Sequence, residues 1–284
     1  MARLLRDQDY LNVSLSDSVR KLIDDNYYQW LDAEQVAQAE MISYLSQRYI
    51  TNQVFTNTTV WNDTAIYSAK NLVEYTVDDF DDSATYSATD RVVFNGKIYE
   101  ALGTVTGNLP TNTTYWTFIC NDKTLFFVTL PSNEWSPTTT YAIGDTIWYL
   151  NKEYTAVISS IGVLPDSSTA IWGTGTTYTI PANTLPTDTT YWTQGDNRNP
   201  LIVRYLLDIA RYHFERAIPA RNVSDLIKEA YNGNSSDDKG GAIGWLKRVG
   251  AGLNSADLPE IVTGTIQYAI QSGSARPKQS NFLW

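Results

Sequence analysis

Two stretches of this chain are written to one pattern, and that repetition constrains the fold more than any other feature. The first runs Phe80, Tyr86, Asp90, Asn95-Gly96-Lys97, Tyr99-Glu100-Ala101, then Leu109-Pro110-Thr111 and Thr114-Tyr115-Trp116-Thr117. The second runs Trp135, Tyr141, Asp145, Asn151-Lys152, Tyr154-Thr155-Ala156, then Leu185-Pro186-Thr187 and Thr190-Tyr191-Trp192-Thr193. The copies keep one offset as far as the Tyr-x-Ala pair and lose it only before the closing Leu-Pro-Thr. A duplicated unit of this size is a small folded module, to be read apart from its flanks. Asn95-Gly96 is a two-residue hairpin signal, and Asp90 and Asp145 read as turn or strand-start residues. Phe80, Tyr99 and Trp116, with their counterparts Trp135, Tyr154 and Trp192, are expected to form the two module cores. The second copy carries an additional Leu164-Pro165 and Trp172 ahead of its closing segment, read as one added β-excursion.

At 284 residues and 43% hydrophobic content the chain can build more than one ordinary core. Its 19 Tyr and nine Trp, set among Thr and Asn, suit small β-modules better than one deep aliphatic interior. A formal charge of -10 argues against gripping a nucleic-acid backbone, which needs clustered cations, but is compatible with DNA sliding past an acidic wall. No apolar run is long enough to span a bilayer, and residues 1–9 lack an apolar signal core, so the expectation is a soluble protein made in the cytosol without membrane association. The single Cys120 agrees with a reducing compartment. The Asn-x-Ser/Thr triplets are then chance matches.

Outside the repeats the pattern is helical. Asp32 with Gln35 three residues on forms a capping-box signature, followed by Val36, Ala39, Ile42, Leu45 and Tyr49 at helical spacing, which predicts a helix from about Asp32 to Tyr49. A shorter helix is expected from Ser16 to about Asp25. Asn199-Pro200 opens another, with Ile202, Leu206, Ile209 and His213 on one face until Pro219. Two more follow, Ser224 to Tyr231 and about Asp238 to Val249, the latter ended by Gly250-Ala251-Gly252. None buries its stripe alone, so the first long helix is expected to pack against those after Pro200.

Two resemblances follow from these residues. Ile42-Ser43-Tyr44-Leu45-Ser46-Gln47-Arg48-Tyr49 resembles a helix of the small head-to-tail connector proteins of tailed bacteriophages. Leu207-Asp208-Ile209-Ala210-Arg211-Tyr212 and Ala242-Ile243-Gly244-Trp245-Leu246-Lys247-Arg248-Val249-Gly250-Ala251-Gly252 are similar to the same family's second half, in order and spacing. The match covers roughly residues 1 to 55 and 198 to 254. The repeats, in turn, resemble small chitin-binding-type carbohydrate-binding modules, compact three-stranded β-folds. Those modules stack sugars on an exposed aromatic pair just after the Tyr-x-Ala strand, where this chain has Leu102-Gly103-Thr104 and Val157-Ile158-Ser159, so glycan binding is disfavoured.

The expected fold class is therefore α+β: a discontinuous helical bundle carrying two small inserted β-modules and an extended C-terminal tail. Its parts would be a helical domain of 1–55 plus 198–254, a linker at 56–79, modules at 80–120 and 135–194 separated by a linker strand at 121–134, and a docking tail at 255–284. The connector resemblance implies a non-catalytic virion protein at the neck, made in the host bacterial cytoplasm. It would form a homo-oligomeric ring, usually twelvefold in that family, touching the portal and a downstream neck or tail protein while genomic DNA passes through. Alternatives are a glycan-binding adhesion protein and an accessory part of a polysaccharide-degrading enzyme.

Candidate chemistry elsewhere is thin. Asp78, Asp79, Asp81 and Asp82 lack the ligand spacing and turn glycine of a calcium loop and read as a solvated linker. His213 is the only histidine, in an amphipathic helix, and no Ser/His/Asp or Cys/His set can be assembled. Gly240-Gly241 reads as a loop entering a helix. No catalytic residue, metal ligand or cofactor is expected, although carboxylate pairing for glycoside hydrolysis is spatial and stays open. In the tail, Val262, Ile266, Tyr268 and Ile270 alternate with polar residues as a strand would, and Arg276, Phe282, Leu283 and Trp284 read as a peptide whose apolar end needs a pocket on a neighbouring subunit or partner.

Overall fold

A computed structural model describes residues 4–6, 9–10, 17–51, 55, 58–218, 222–233, 240–254, 256, 258 and 260–261. The expectation of a helical bundle with two modules in one of its loops is wrong. Among the described residues fifteen strands form five small sheets, running almost continuously from Thr58 to Gln194, and the fold is a mixed α and β one. Residues read as linkers account for the error: β1 (Thr58–Val60), β2 (Leu72–Tyr75) and β8 (Thr124–Val128) join β15 (Trp192–Gln194) in a sheet of their own, ordered β1-β2-β8-β15.

That sheet belongs to a third copy of the repeat. The first copy holds β3 (Thr85–Tyr86) paired with β6 (Val105–Thr106), and β4 (Arg91–Phe94), β5 (Lys97–Ala101) and β7 (Trp116–Asn121) in the order β4-β5-β7. The second holds β10 (Thr140–Tyr141) with β13 (Ser160–Ile161), and β9 (Asn133–Glu134), β11 (Thr146–Tyr149), β12 (Lys152–Thr155) and β14 (Thr176–Thr177) in the order β14-β12-β11-β9. The third begins at Trp61, with Tyr67 and Asn71 where the others have Tyr86 and Asp90, or Tyr141 and Asp145.

All three make the same bonds. The tyrosine hydroxyl accepts from the backbone amide of Asn62, Asp81 or Ser136 at 2.7, 2.8 and 2.7 Å. The side chain of Asn71, Asp90 or Asp145 accepts from the amide three residues before it, at 2.8, 2.7 and 2.8 Å. The residue just before it is left-handed each time, with φ of 66° at Lys70, 75° at Thr89 and 92° at Gly144. The tyrosine ring then meets a closing tryptophan edge-on: Tyr67 with Trp192 at 5.2 Å, Tyr86 with Trp116 at 5.4 Å and Tyr141 with Trp172 at 5.0 Å.

The copies are nested. In the first, β4 turns into β5 through Asn95-Gly96, both at positive φ, and in the second β11 turns into β12 through Leu150-Asn151, likewise. In the third, which we call the host, β2 and β8 pair as that hairpin should, with Tyr75 opposite Thr124, but the whole first copy fills the turn. The second copy fills the next connection, between Val128 and the bridge of Thr179 to Ser68. Surface connections tolerate such insertions because closure entropy grows only slowly with loop length.

The helices are α1 (Asp17–Asp25), α2 (Tyr27–Leu45), a short α3 (Thr169–Trp172) inside the second copy, α4 (Pro200–Ala217), α5 (Asp225–Asn232) and α6 (Gly241–Gly250). α2 begins before the Asp32 signature, with Asn26 as its cap, so Asp32 and Gln35 lie exposed within the helix. Its buried face is Trp30, Ala33, Ala37, Met41 and Leu45, together with Glu34 and Gln38, whereas Val36 and Ala39 face solvent. The apolar periodicity misled because Glu34 is buried as a partner of the Trp30 indole, Nε1 to Oε1 2.7 Å. α4 starts as its sequence predicts, the Asn199 side chain accepting from the amides of Leu201 and Ile202. α2, α4 and α6 share one core with Leu4, Leu5 and Tyr49.

Arg198 ties the beginning of α4 to residues near the amino terminus. Its buried guanidinium donates to the Leu4 carbonyl, to both Asp9 oxygens at 2.7 and 2.9 Å, and to Asp196 at 2.6 Å. Burial opposes its charge, but these carboxylates reverse that and hold the proton more firmly than on a free arginine. Arg6 continues the network to Glu74 of β2 at 3.4 Å, and Asn197 donates to the Lys70 carbonyl, so the helical core grips the host copy directly.

Candidate functional site

Phe80, Tyr99 and Trp116 pack together with Tyr86, Val92 and Val105 in the first copy. Trp135 and Tyr154 pack in the second, but the tryptophan completing that core is Trp172, not Trp192. Trp192 lies in the host core with Tyr67, Tyr75, Phe126 and Ile98. The extra Leu164-Pro165 and Trp172 are therefore the second copy's own closing segment, and Leu185-Pro186 with Trp192 closes the host. In the sequence, Trp61, Tyr67 and Asn71 precede Phe80, Tyr86 and Asp90 by one interval, and two Leu-Pro…Trp closings follow a single leading Trp135; together those signals could have revealed the third unit.

The two carried copies place their indoles alike. Trp116 Nε1 donates to the Asn108 carbonyl and Trp172 Nε1 to that of Val163, each just before the Leu-Pro, both at 2.9 Å. In the host the equivalent carbonyl, Thr184, accepts instead from the leading Trp61 at 3.3 Å. Among the described residues Trp192 Nε1 then has no partner, although it is buried.

Where sugar-binding modules carry their aromatic pair, the exposed side chains are Leu102 in the first copy and Val157 and Ile158 in the second, each just over half exposed. Aliphatic side chains offer a pyranose no π-face. The acidic run is not a linker but the opening of the first copy: the Asp78 carbonyl accepts from the Val93 amide, Asp79 bridges Val93, and Asp81 binds the amide and hydroxyl of Ser83, which hold its carboxyl below the ordinary range. No cluster of His, Cys, Asp and Glu able to hold a metal occurs among the described residues. Burial raises the Cys120 thiol, leaving it a packed side chain rather than a nucleophile.

A second polar grouping joins α2, α4 and α5. Glu40 accepts from the Tyr231 hydroxyl at 2.7 Å and lies 2.7 Å from His213 Nε2, while Tyr231 stacks flat on Tyr212 at 3.9 Å. Burial alone would raise the Glu40 carboxyl, but the hydrogen bonds from His213 and Tyr231 outweigh it and hold it low. Burial and the neighbouring Glu40 carboxylate push the Tyr231 phenol up. A carboxylate satisfied by two donors, with no nucleophile beside it, fastens three helices together.

The two segments that carry the connector resemblance meet here as well. Tyr44 and Leu45 of α2 pack into the same core as Ile209 and Ala210 of α4 and Trp245, Leu246 and Val249 of α6. The Gly250-Ala251-Gly252 exit lies against them, so that a Cβ on Gly250 would stand 3.1 Å from the Tyr44 carbonyl and one on Gly252 2.8 Å from the Arg48 guanidinium. Arg48 also pairs with Glu260 at 2.8 Å, Tyr49 bridges Glu260, and the Ile261 amide donates to the Arg48 carbonyl at 2.7 Å. Val262, Ile266, Tyr268, Ile270, Arg276, Phe282, Leu283 and Trp284 lie outside the described residues. No helix among the described residues is long and apolar enough to cross a membrane. No protein-family model matches the chain, and neither does any curated protein.

Proposed function

We propose that the chain is a structural, non-catalytic component of a tailed-bacteriophage particle, assembling as a ring at the neck between portal and tail and extending the channel through which DNA leaves. The observation that carries this reading is the contact of the two resembling segments. Distant in sequence, they pack into one core, and the glycines that end α6 lie close against the Tyr44 backbone and the Arg48 side chain. The charge of -10 suits a lumen that passes DNA without holding phosphates. In this reading the three β-units decorate the ring or bridge its subunits, and the aliphatic Leu102, Val157 and Ile158 give no support to glycan adhesion.

The test is electron microscopy of the purified protein, alone and mixed with portal rings, beside light scattering. Closed rings, or a collar on the portal, are expected, with no salt-sensitive affinity for duplex DNA. A protein that stays monomeric at all concentrations and ignores portal rings would overturn the reading.

A further inference from the structure

One face of the β-unit is treated differently in each of the three copies. In every copy the residue before the Asx side chain donates its amide to a carbonyl at the end of the hairpin: Lys70 to Val128, Thr89 to Ala101 and Gly144 to Ala156, at 3.0, 2.9 and 2.8 Å. The face beside that bond is therefore built from Ala69 and Thr129-Leu130 in the host, Ala88 and Leu102-Gly103 in the first copy, and Ile143 and Val157-Ile158 in the second. In the host this face turns toward another unit. Ala69 is only 5% exposed, Lys70 lies over the Trp148 ring and pairs with Glu134, and Thr129 and Leu130 share a cleft with Asn133, Glu134 and Thr146 of the second copy. In the second copy the same face is bare. Ile143 is 72% exposed, and Val157, Ile158 and Ile161 are each more than half exposed. They sit together, because Ser159 Oγ donates to the Tyr141 carbonyl at 2.9 Å and Ile161 lies opposite Thr140. Single exposed aliphatic side chains are ordinary, but a group of them on one face marks a contact surface.

The first copy offers the complement. Where the second has Ile143, Ile158 and Ile161, the first has Ala88, Gly103 and Thr106, and a Cβ on Gly103 would meet nothing within 4 Å, so the space over it is open. Leu102 and Tyr115, joined amide to carbonyl at 2.8 Å, stand exposed beside it. Residues 85–89 and 101–109 carry no charge, and neither do 138–144 and 155–164 of the second copy. In a chain of net charge -10, such faces are where two copies meet with least repulsion. We propose that the second-copy face of one chain docks on the first-copy face of a neighbouring chain, with Ile143 and Ile158 seated over Ala88 and Gly103. Pairing two second-copy faces would instead set the bulk of Ile143 and Ile158 against itself. Because the contact joins two different faces it runs head to tail, and it repeats into a ring or, where the rotation does not close, a filament. It deepens the ring reading and rests on that reading only for closure. The area is on the order of a few hundred Å², below the roughly 800 Å² per partner of a standard interface, so each contact is weak and repetition holds the assembly.

The experiment is sedimentation velocity of the full-length chain over a range of concentrations, with two variants, Ile158→Glu and Gly103→Glu. Ile158 is exposed and Gly103 has open space around it, so both should keep the parent's circular dichroism and thermal midpoint. Each variant alone is expected to weaken association by about tenfold or more, since a carboxylate would be buried unpaired in an apolar contact. An equimolar mixture of the two should form one-to-one dimers that grow no further, because each chain keeps one intact face and the two intact faces match. A parent chain that never associates, or association untouched by Ile158→Glu, overturns the contact. Gly103→Glu chains that still associate at parental strength show that second-copy faces pair with each other, which overturns the head-to-tail mode. Rings that ignore both substitutions overturn the contact and leave the ring standing, whereas open filaments that respond to both support the contact and overturn the ring alone.

Discussion

The host copy and the first copy it carries make the same contacts by opposite routes. In the first copy the tyrosine meets its closing tryptophan within one continuous run, Tyr86 to Trp116, whereas in the host Tyr67 waits for Trp192, across two other folded units, to make the same edge-on contact. The difference teaches that the unit is defined by its contacts: tyrosine to closing tryptophan, Asx side chain to the amide three residues before it, strand to strand. Continuity of the chain is not required. It also makes the host the dependent member, because β2 meets β8, and β8 meets β15, only across the inserted units.

The largest effect should come from the closing tryptophans. Trp116→Ala and Trp192→Ala each remove a fully buried ring and should cost about 3–5 kcal/mol locally. Hydrogen exchange should separate them. Loss of Trp116 should expose amides within residues 80–121, while loss of Trp192 should expose β2, β8 and β15, reach the first copy only at Val93, Ile98 and Cys120, which share the host core, and leave the second copy protected. Equal spreading from both substitutions would break the distinction between host and guest.

A comparable loss is expected where the helical core grips the host. Arg198→Met leaves Asp9 and Asp196 facing one another with only Arg6 as a nearby cation, at a cost of about 3 kcal/mol. Through Arg6–Glu74 and Asn197–Lys70 the host sheet should loosen before the carried copies do. The acid limb follows from the same groups. Burial would raise the Asp196 carboxyl, but Arg198 holds it low, and Glu40 is held low by His213 and Tyr231. A depressed carboxyl contributes stability that is present above the ordinary carboxylate range, about pH 4, and is lost as pH falls through the folded value. Stability against unfolding, followed by helical ellipticity, should thus fall below about pH 4, and Glu40→Gln together with Arg198→Met should flatten that limb.

What the sequence made legible divides along the same line. The two carried copies were visible because each keeps its pattern unbroken from the leading aromatic to Tyr-x-Ala. The host was not, since its turn and its next connection are filled by whole folded units and Asn71 stands in for the aspartate. The misassigned closing tryptophan followed directly, because a reader expecting two units pairs Trp135 with the last Trp in line. The start of α4 was legible from Asn199-Pro200, a local cap. The face of α2 was not, because buried Glu34 and Gln38 break the apolar periodicity for reasons that lie in partners, not in spacing. The cavity between α4 and α5 was not legible, since Trp30, Leu207 and Ile227 converge only in three dimensions.

A smaller effect should distinguish the indoles. Trp116→Phe strips the Asn108 carbonyl of its donor and should cost about 1 kcal/mol more than Trp192→Phe, whose indole N–H is already unpartnered among the described residues. Chemical denaturation of the two variants checks this, and equal costs would mean that the host indole has a partner after all.

An effect of similar size tests the turn all three copies share. At the residue before the Asx side chain the backbone is left-handed, and the second copy meets that demand with Gly144 at φ 92° whereas the first uses Thr89 at 75°. A β-branched residue there is strained by about 1–2 kcal/mol, and nothing crowds a Cβ at Gly144, so backbone conformation alone should decide the outcome. Thr89→Gly should relieve the strain, offset in part by the greater freedom glycine has in the unfolded chain, for a net gain of about 0.5–1 kcal/mol. Gly144→Thr should cost about 1–2 kcal/mol. Both are read from denaturation midpoints at unchanged slope, and the double variant, in which the two copies exchange residues, should return close to the parent because the sites lie in separate cores. A stabilising Gly144→Thr would show that the two turns are not equivalent, and with that the common contact set on which the nesting is argued would fail at its most local point.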